Sequence, residues 1–169
     1  MSYFFVSDQH LGHANVIRFC SRPFKDVYEM DKEIIKRHNE VVSKEDTVIH
    51  AGDFAFRNKL PVNKYIEQLN GNHIFLKGSH DKWNKQGSYV WEGMIENYYF
   101  VICHYPFRTW PRSHYGSINL HGHCHGNIEE FPNQIDIGVD TNNFYPYSTP
   151  QIIEIIKNQN SSSLDIKEQ

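Results

Sequence analysis

Short apolar runs that end in small or polar residues alternate along the chain with amphipathic stretches, a rhythm that predicts strands and helices in mixed order. Strands are expected at residues 3–7, 47–51, 74–77, 98–103, 118–120 and 135–139. Over residues 27–42, Met30, Ile34, His38 and Val41 recur at three- and four-residue steps, as one face of a helix requires. A second helix is expected over residues 60–69, with Pro61 near its first turn and Asn70-Gly71 after its end. Residues 14–20 predict a shorter helix, and residues 151–157 a last one, capped by Ser148 or Thr149 with Pro150 in the first turn. The closing stretch NQNSSSLDIKEQ is polar throughout and is expected to fray, giving one domain over residues 1–157 and a tail over residues 158–169. No internal repeat or linker divides the chain. Residues 105–116, rich in Pro, Arg and aromatic side chains, predict a long loop of the kind that carries binding residues.

Composition narrows the class. With 169 residues, 39% of them hydrophobic and 14% aromatic, the chain has the size and apolar content of a single globular domain, which excludes general disorder. A formal charge of −3 gives no overall attraction to polyanions, so any affinity for nucleic acid or phosphate must be local. No apolar run is long enough to span a bilayer, and no membrane partner is expected. Three scattered cysteines, Cys20, Cys103 and Cys124, suit a reducing cytoplasm better than a disulfide framework. The eleven histidines are the unusual feature: they lie between His10 and His125 rather than in a terminal run.

Their placement follows the expected strands. Asp8-Gln9-His10 ends the first, and in extended chain residues two apart face the same side. Asp53 follows the second within Ala-Gly-Asp-Phe, Gly78-Ser79-His80-Asp81 the third, His104 the fourth and Gly122-His123-Cys124-His125 the fifth. Singly, each has an ordinary reading as a cap, a turn former or a surface histidine. Together, at strand ends that line the crevice of an α/β protein, so many Asp and His side chains would desolvate and repel one another unless a cation held them. Mixed Asp and His ligands suit Mn, Fe, Zn, Ni or Co better than Ca. Seven candidate ligands exceed one closed site, so two divalent ions sharing a carboxylate are expected.

The ordered series DQH, GDF, GSHD, CHYP and GHCH resembles the signature of the calcineurin-like metallophosphoesterase superfamily, in register from Asp8 to His125. The flanking SDQHLGHANVIRFCSRPF and IDIGVDTNNFYPYS are similar to small uncapped members from bacteria and phages. The resemblance implies a single-domain, four-layer α/β/β/α sandwich with a two-metal site on one rim. It implies Asp8, His10, Asp53 and His125 as ligands of the first ion, and Asp53, His104, His123 and Ser79 as ligands of the second. Asp53 would bridge. It further implies His80 as the non-ligand that protonates the leaving oxygen, with Asp81 orienting its imidazole. Ser79 departs from the family pattern, which has Asn there; a serine hydroxyl is shorter and a weaker ligand, so the second ion is expected to be held less firmly.

The implied activity is hydrolysis of a phosphate mono- or diester, with a phosphodiester, nucleotide or accessible nucleic-acid end favoured by a site without a roofing domain. Two divalent ions against the carboxylates of Asp8 and Asp53 leave a net charge of about +2, or about +1 with a bridging hydroxide, which welcomes an anionic phosphate. The ions, typically about 3.5–4 Å apart, would activate that hydroxide for attack on phosphorus. His13, Arg57, Lys82 and Arg108 lie within a few residues of these positions and are candidates for contacting the substrate. His50, inside an apolar strand, reads as a core histidine, and Cys124 as packed behind the site. Trp83, Trp91 and Trp110 read as packing residues. The alternative reading is a non-catalytic interaction scaffold whose second metal site has degraded: Ser79 favours it, and the retained His80 opposes it.

Overall fold

Strands β1 (Tyr3–Val6) and β2 (Thr47–His50) carry aromatic and β-branched residues that are buried on both faces, the condition of strands inside a parallel sheet. The computed structural model describes residues 1–56, 60–129 and 131–165, with side chains described as far as Ser161. In the first sheet β1 and β2 run parallel, with Phe5 opposite Ile49 and Val6 opposite His50, and β2 runs parallel to β3 (Asn72–Phe75). The short β8 (Tyr147–Ser148) pairs antiparallel with β1, giving the order β3-β2-β1-β8. The second sheet has the order β4-β5-β6-β7, built from β4 (Val90–Ile95), β5 (Tyr98–Cys103), β6 (Ile118–His121) and β7 (Gln134–Asp136). Only the β4–β5 pair of that sheet is antiparallel.

Apolar side chains of both sheets, among them Phe5, Ile49, Phe100, Ile102, Ile118 and Leu120, form one core cluster. A second cluster joins Phe4, Val6 and Val48 of the first sheet to α1 (Ala14–Phe19), α2 (Val27–Val41) and α3 (Val62–Ile66) through Val16, Met30, Ile34 and Tyr65. Asp26 caps α2, its carboxylate accepting from the amides of Tyr28 and Glu29 at 3.0 and 2.9 Å, and Met30, Ile34 and His38 form the buried face anticipated from their spacing, whereas Val41, expected on the same face, is exposed at the last turn. The chain is thus a single α/β domain of two sheets flanked by helices, as expected.

Several boundaries differ from the sequence reading. The last helix, α4, spans Thr149–Asp165 and so continues through the polar stretch expected to fray. Its Gln159 is the reason visible in the structure: the side chain accepts from the Asn133 amide at 3.1 Å and donates to the Gln134 carbonyl at 3.0 Å, tying the helix to β7. At its start, Gln151 accepts from both the amide and the hydroxyl of Ser148, so Ser148 is the capping partner. The expected helix over 60–69 is helical only at Val62–Ile66, and the strand expected at 135–139 ends at Asp136. Beyond it, the Ser7 amide donates to the Ile137 carbonyl and the Val139 amide to the Ser7 carbonyl, at 2.9 and 3.0 Å. The two sheets are stitched together there, beside the ends of β1, β2, β5 and β6.

Three buried or half-buried histidines form a polar seam that runs from Gln9 at that rim towards Asn70. His50 meets the Gln9 side-chain nitrogen at 2.9 Å and His73 at 3.0 Å, while His38 meets the Asn70 carbonyl at 2.9 Å. Burial lowers the pKa of all three, that of His38 to about 4 and that of His50 well below its ordinary value. Their depressed values mean that folding is unopposed by them above the unfolded value of about 6.5. As pH falls below it, the unfolded chain takes up protons that the folded chain refuses. Stability should therefore fall between pH 6.5 and 5, by on the order of 2 kcal/mol from His38 alone, with His50 acting in the same direction. Urea midpoints measured with chelator across that range test this, and a wild-type slope no steeper than that of His38→Gln would contradict it.

Candidate metal centre

Backbone shape sets up the site. Asp8, His10, Asp53, His123 and His125 all adopt positive φ, between 50° and 71°, a left-handed conformation that non-glycine residues resist. Such residues cluster where neighbouring structure over-determines them, often at functional sites. Asp8-Gln9-His10 is therefore not the extended segment expected from alternation. Asp8 donates its amide to the Gly52 carbonyl and His10 donates to the Asp53 carbonyl, so two curled segments lie side by side and aim their side chains at one point. Glycine makes the approach possible: a Cβ on Gly52, whose φ is 98°, would stand 2.5 Å from the Gly78 nitrogen.

The two carboxylates lie at the centre. Asp8 is fully buried, and its Oδ1 lies 3.8 Å from His10 Nε2 and 4.0 Å from His125 Nε2. Asp53 Oδ2 lies 3.4 Å from His104 Nε2 and 3.8 Å from the Nε2 atoms of both His10 and His80. These separations are long for hydrogen bonds. They match two ligand atoms on one ion, because metal–ligand bonds of about 2.0–2.2 Å hold neighbouring ligands about 3–4 Å apart. Asp8 Oδ1 and His104 Nε2 are buried without a hydrogen-bond partner, a costly arrangement that a cation would relieve. Donor atoms come within 4.8 Å of one another in Asp8–His10–His125, in Asp8–Asp53–His104 and in His10–Asp53–His80. The residues present fit divalent ions.

The imidazoles are held in place by further contacts. His104 Nδ1 meets the Ala51 carbonyl at 3.1 Å, which leaves Nε2 facing Asp53. His125 Nδ1 lies 2.6 Å from Asp140 Oδ2, which turns its Nε2 to Asp8. Asp140 in turn accepts two hydrogen bonds of 2.8 Å from Arg22, a buried guanidinium that also donates to the carbonyls of Asp8 and Gln9. Arg22 and Asp140 were not among the candidates from sequence. Both stand inside flanking stretches whose family likeness is visible, but neither belongs to a motif that gives it a role.

Proton affinities report the same crowding. Burial raises Asp8 to about 6, against the opposing pull of His104 and His125. Burial works to lower His125, yet the hydrogen bond with Asp140 and the other acceptors around it raise it to about 10. For Asp53, burial works upwards, and the neighbouring His104 and His80 amide nevertheless hold the carboxyl well below the usual range. Carboxylates and imidazoles here neutralise one another by sharing protons, the service a bound cation would perform.

Other expected roles divide. Asp81 does not orient the His80 ring: its carboxylate accepts from the amides of Asp53, Phe54 and Gly78 and from Trp83 Nε1, so it braces the turn that carries Asp53. Ser79 Oγ donates to Asp53 Oδ2 at 2.9 Å. His80 packs its ring 4.2 Å from that of Phe56, while its amide donates to Asp53 Oδ1. His123 is exposed and belongs to none of the donor groups, which also include Cys20–His125–Asp140; its ring lies 5.1 Å from His104 and its amide donates to Asp8 Oδ2 at 2.9 Å. His13 stands beside the cluster, with its ring centroid 5.3 Å from that of His10. Lys82 and Arg108 are exposed, and neither side chain makes a hydrogen bond or ion pair with the described residues; the Lys82 amide donates to the His80 carbonyl at 2.9 Å. Arg57 lies outside the described residues. Cys124 sits half-buried in a turn between two left-handed residues rather than on an extended segment packed behind the site. His50 is a core side chain, and Trp83 and Trp91 pack against the two core clusters, as expected.

Two sheets with carboxylates and imidazoles converging at their joined rim define an α/β protein whose clustered donors could hold metal ions, and comparison supplies the family. A family model described as calcineurin-like phosphoesterase matches residues 1–163, and the chain belongs to that family. Protein MJ1445 of Methanocaldococcus jannaschii, itself uncharacterized, is 34% identical over 163 residues, covering 91% of this chain and 90% of its own. The crystal structure of AQ665 from Aquifex aeolicus, a protein of unknown function, shares the fold with a TM-score of 0.73 at 24% identity, over 92% of this chain and 99% of that one. No helix among the described residues is long and apolar enough to cross a membrane.

Proposed function

We propose that this protein hydrolyses a phosphate ester, with a phosphodiester or nucleotide favoured, using two divalent transition-metal ions. The observation that carries this reading is the pair of buried atoms without hydrogen-bond partners, Asp8 Oδ1 and His104 Nε2, set among nitrogen donors at ligand-to-ligand spacing. Asp8, His10, Asp53 and His125 would hold one ion; Asp53, His104, His123 and Ser79 would hold the other. Bound ions would polarise the phosphoryl oxygens and acidify the attacking water. In the hydrolysis one P–O bond forms from water and one breaks towards the ester oxygen. His80, whose side chain is about one-third exposed and whose Nε2 faces Asp53, would deliver the proton to that departing oxygen. Cys20, Cys103 and Cys124, none of them in a disulfide, support a reducing compartment, the cytoplasm.

The Mn²⁺-loaded protein should cleave bis-p-nitrophenyl phosphate or p-nitrophenyl phosphate. His80→Ala should slow turnover about 10²–10⁴-fold with metal content retained; equal turnover would remove the assigned role. The hydrogen bond from Ser79 to Asp53 is the observation that favours a scaffold with one weakened metal site. Ser79→Asn should raise occupancy of the second ion and, if the protein is an enzyme, its turnover. Unchanged metal content would show that serine already suffices.

A further inference from the structure

Beyond His13, on the side away from the carboxylates, α1, α2 and α3 enclose a pocket of about 550 Å³. Volumes of this order, with apolar walls and few polar groups, suit small organic ligands. Val27, Ile35 and the rings of Tyr28 and Tyr65 line it, together with the Asp31 carboxylate. Asp31 is already engaged: the Gly12 amide lies 3.0 and 3.1 Å from its two oxygens, and the Tyr65 hydroxyl donates to Oδ2 at 3.1 Å. A carboxylate accepts about four hydrogen bonds, so capacity remains for a donor from a guest. Lys32 also borders the pocket and offsets the carboxylate's charge, so the lining as a whole draws no anion, while the Asp31 acceptor favours a ring with an N–H or O–H group.

The pocket and the metal centre share a wall. His13 lines the pocket and sets its ring 5.3 Å from that of His10 and 5.8 Å from that of His80. His80 is the proposed proton donor to the departing oxygen, so whatever hangs from that oxygen emerges beside His13. We infer that this pocket seats the alcohol part of the ester, and that this part carries a flat ring with a hydrogen-bond donor directed to Asp31. Nucleobases and phenols share that chemistry. The inference rests on the phosphoesterase reading for the link to turnover, whereas the pocket's preference for a ring can be measured without it.

Amide shifts of the metal-loaded protein, recorded with adenosine, ribose, tyrosol and ethanol, test the binding directly. Adenosine or tyrosol should perturb Gly12, Asp31 and Ile35 saturably, and ribose and ethanol should not; which of the two binds tells a base from a phenol. Ala14→Trp, at an exposed position on the pocket's rim, should weaken ring binding at least tenfold, and Asp31→Asn should weaken it severalfold. For turnover, adenosine 5′-phosphate is compared with ribose 5-phosphate, tyrosol phosphate with ethyl phosphate, and each with its methyl diester, so that leaving oxygens are matched. The ring-bearing ester should be favoured at least tenfold in kcat/KM, and Ala14→Trp should erase that ratio. No ring-dependent shift at these amides, or a ratio near one, would overturn the inference. Ring binding at the pocket without turnover of any ester would overturn the hydrolytic reading and uphold the pocket's ligand chemistry.

Discussion

Asp53→Asn is expected to remove most of the activity and at least part of the metal. Three imidazole nitrogens, from His104, His10 and His80, stand 3.4–3.8 Å from its Oδ2, so this oxygen is where the donor groups overlap. An amide of the same shape keeps an acceptor for the His80 amide but lacks the negative charge that two cations would share. Turnover should fall by about a thousandfold, the scale seen when one charge-stabilising group is lost from a catalytic site. Elemental analysis of the dialysed protein should show at least one ion fewer per chain. Full metal content in the variant would mean that Asp53 is not the shared ligand, and the two-ion arrangement would have to be abandoned.

Arg22→Ala should be the most damaging change to stability. The guanidinium is buried and meets Asp140 through two parallel hydrogen bonds of 2.8 Å, a geometry that lysine cannot reproduce. Its removal leaves Asp140 with the His125 ring alone and the carbonyls of Asp8 and Gln9 without their guanidinium donor. A loss of about 4 kcal/mol is expected, which for a chain of this size lowers Tm by roughly 10 °C. Asp140→Asn should act differently: with the orienting charge on His125 gone, metal affinity should drop about 10- to 100-fold, measured by competition with a chelating dye. A variant pair with wild-type Tm and metal affinity would show that the Arg22–Asp140–His125 chain is ornamental.

The contrast between these residues explains what was legible in the sequence. Asp8, Asp53, His104 and His125 were readable because each follows an apolar run, and strand ends share a rim. Arg22 and Asp140 sit among turn residues with no periodicity, and their pairing spans 118 positions, so only the fold brings them together. Asp81 was legible as part of the site, but its role was not: which donors a carboxylate meets depends on how the turns carrying Asp53 and Gly78 pack. Among the elements, β5 and α2 followed their apolar patterns closely. β4 escaped notice because Glu92 and Gly93 interrupt its apolar residues, and β8 because two residues carry no period. The helical course of 158–165 was hidden for a related reason, since its anchoring comes from hydrogen bonds of Gln159 rather than from an apolar stripe.

The left-handed backbone at Asp8, His10, Asp53, His123 and His125 sets fold and chemistry at odds. At each of these positions a glycine would sit more comfortably than the residue that is there. Selection for heat tolerance alone would drift towards such replacements and discard the ligands one by one. Durability and reactivity are thus opposing demands on the same few peptide units, and a hardened variant of this protein must find its gains elsewhere.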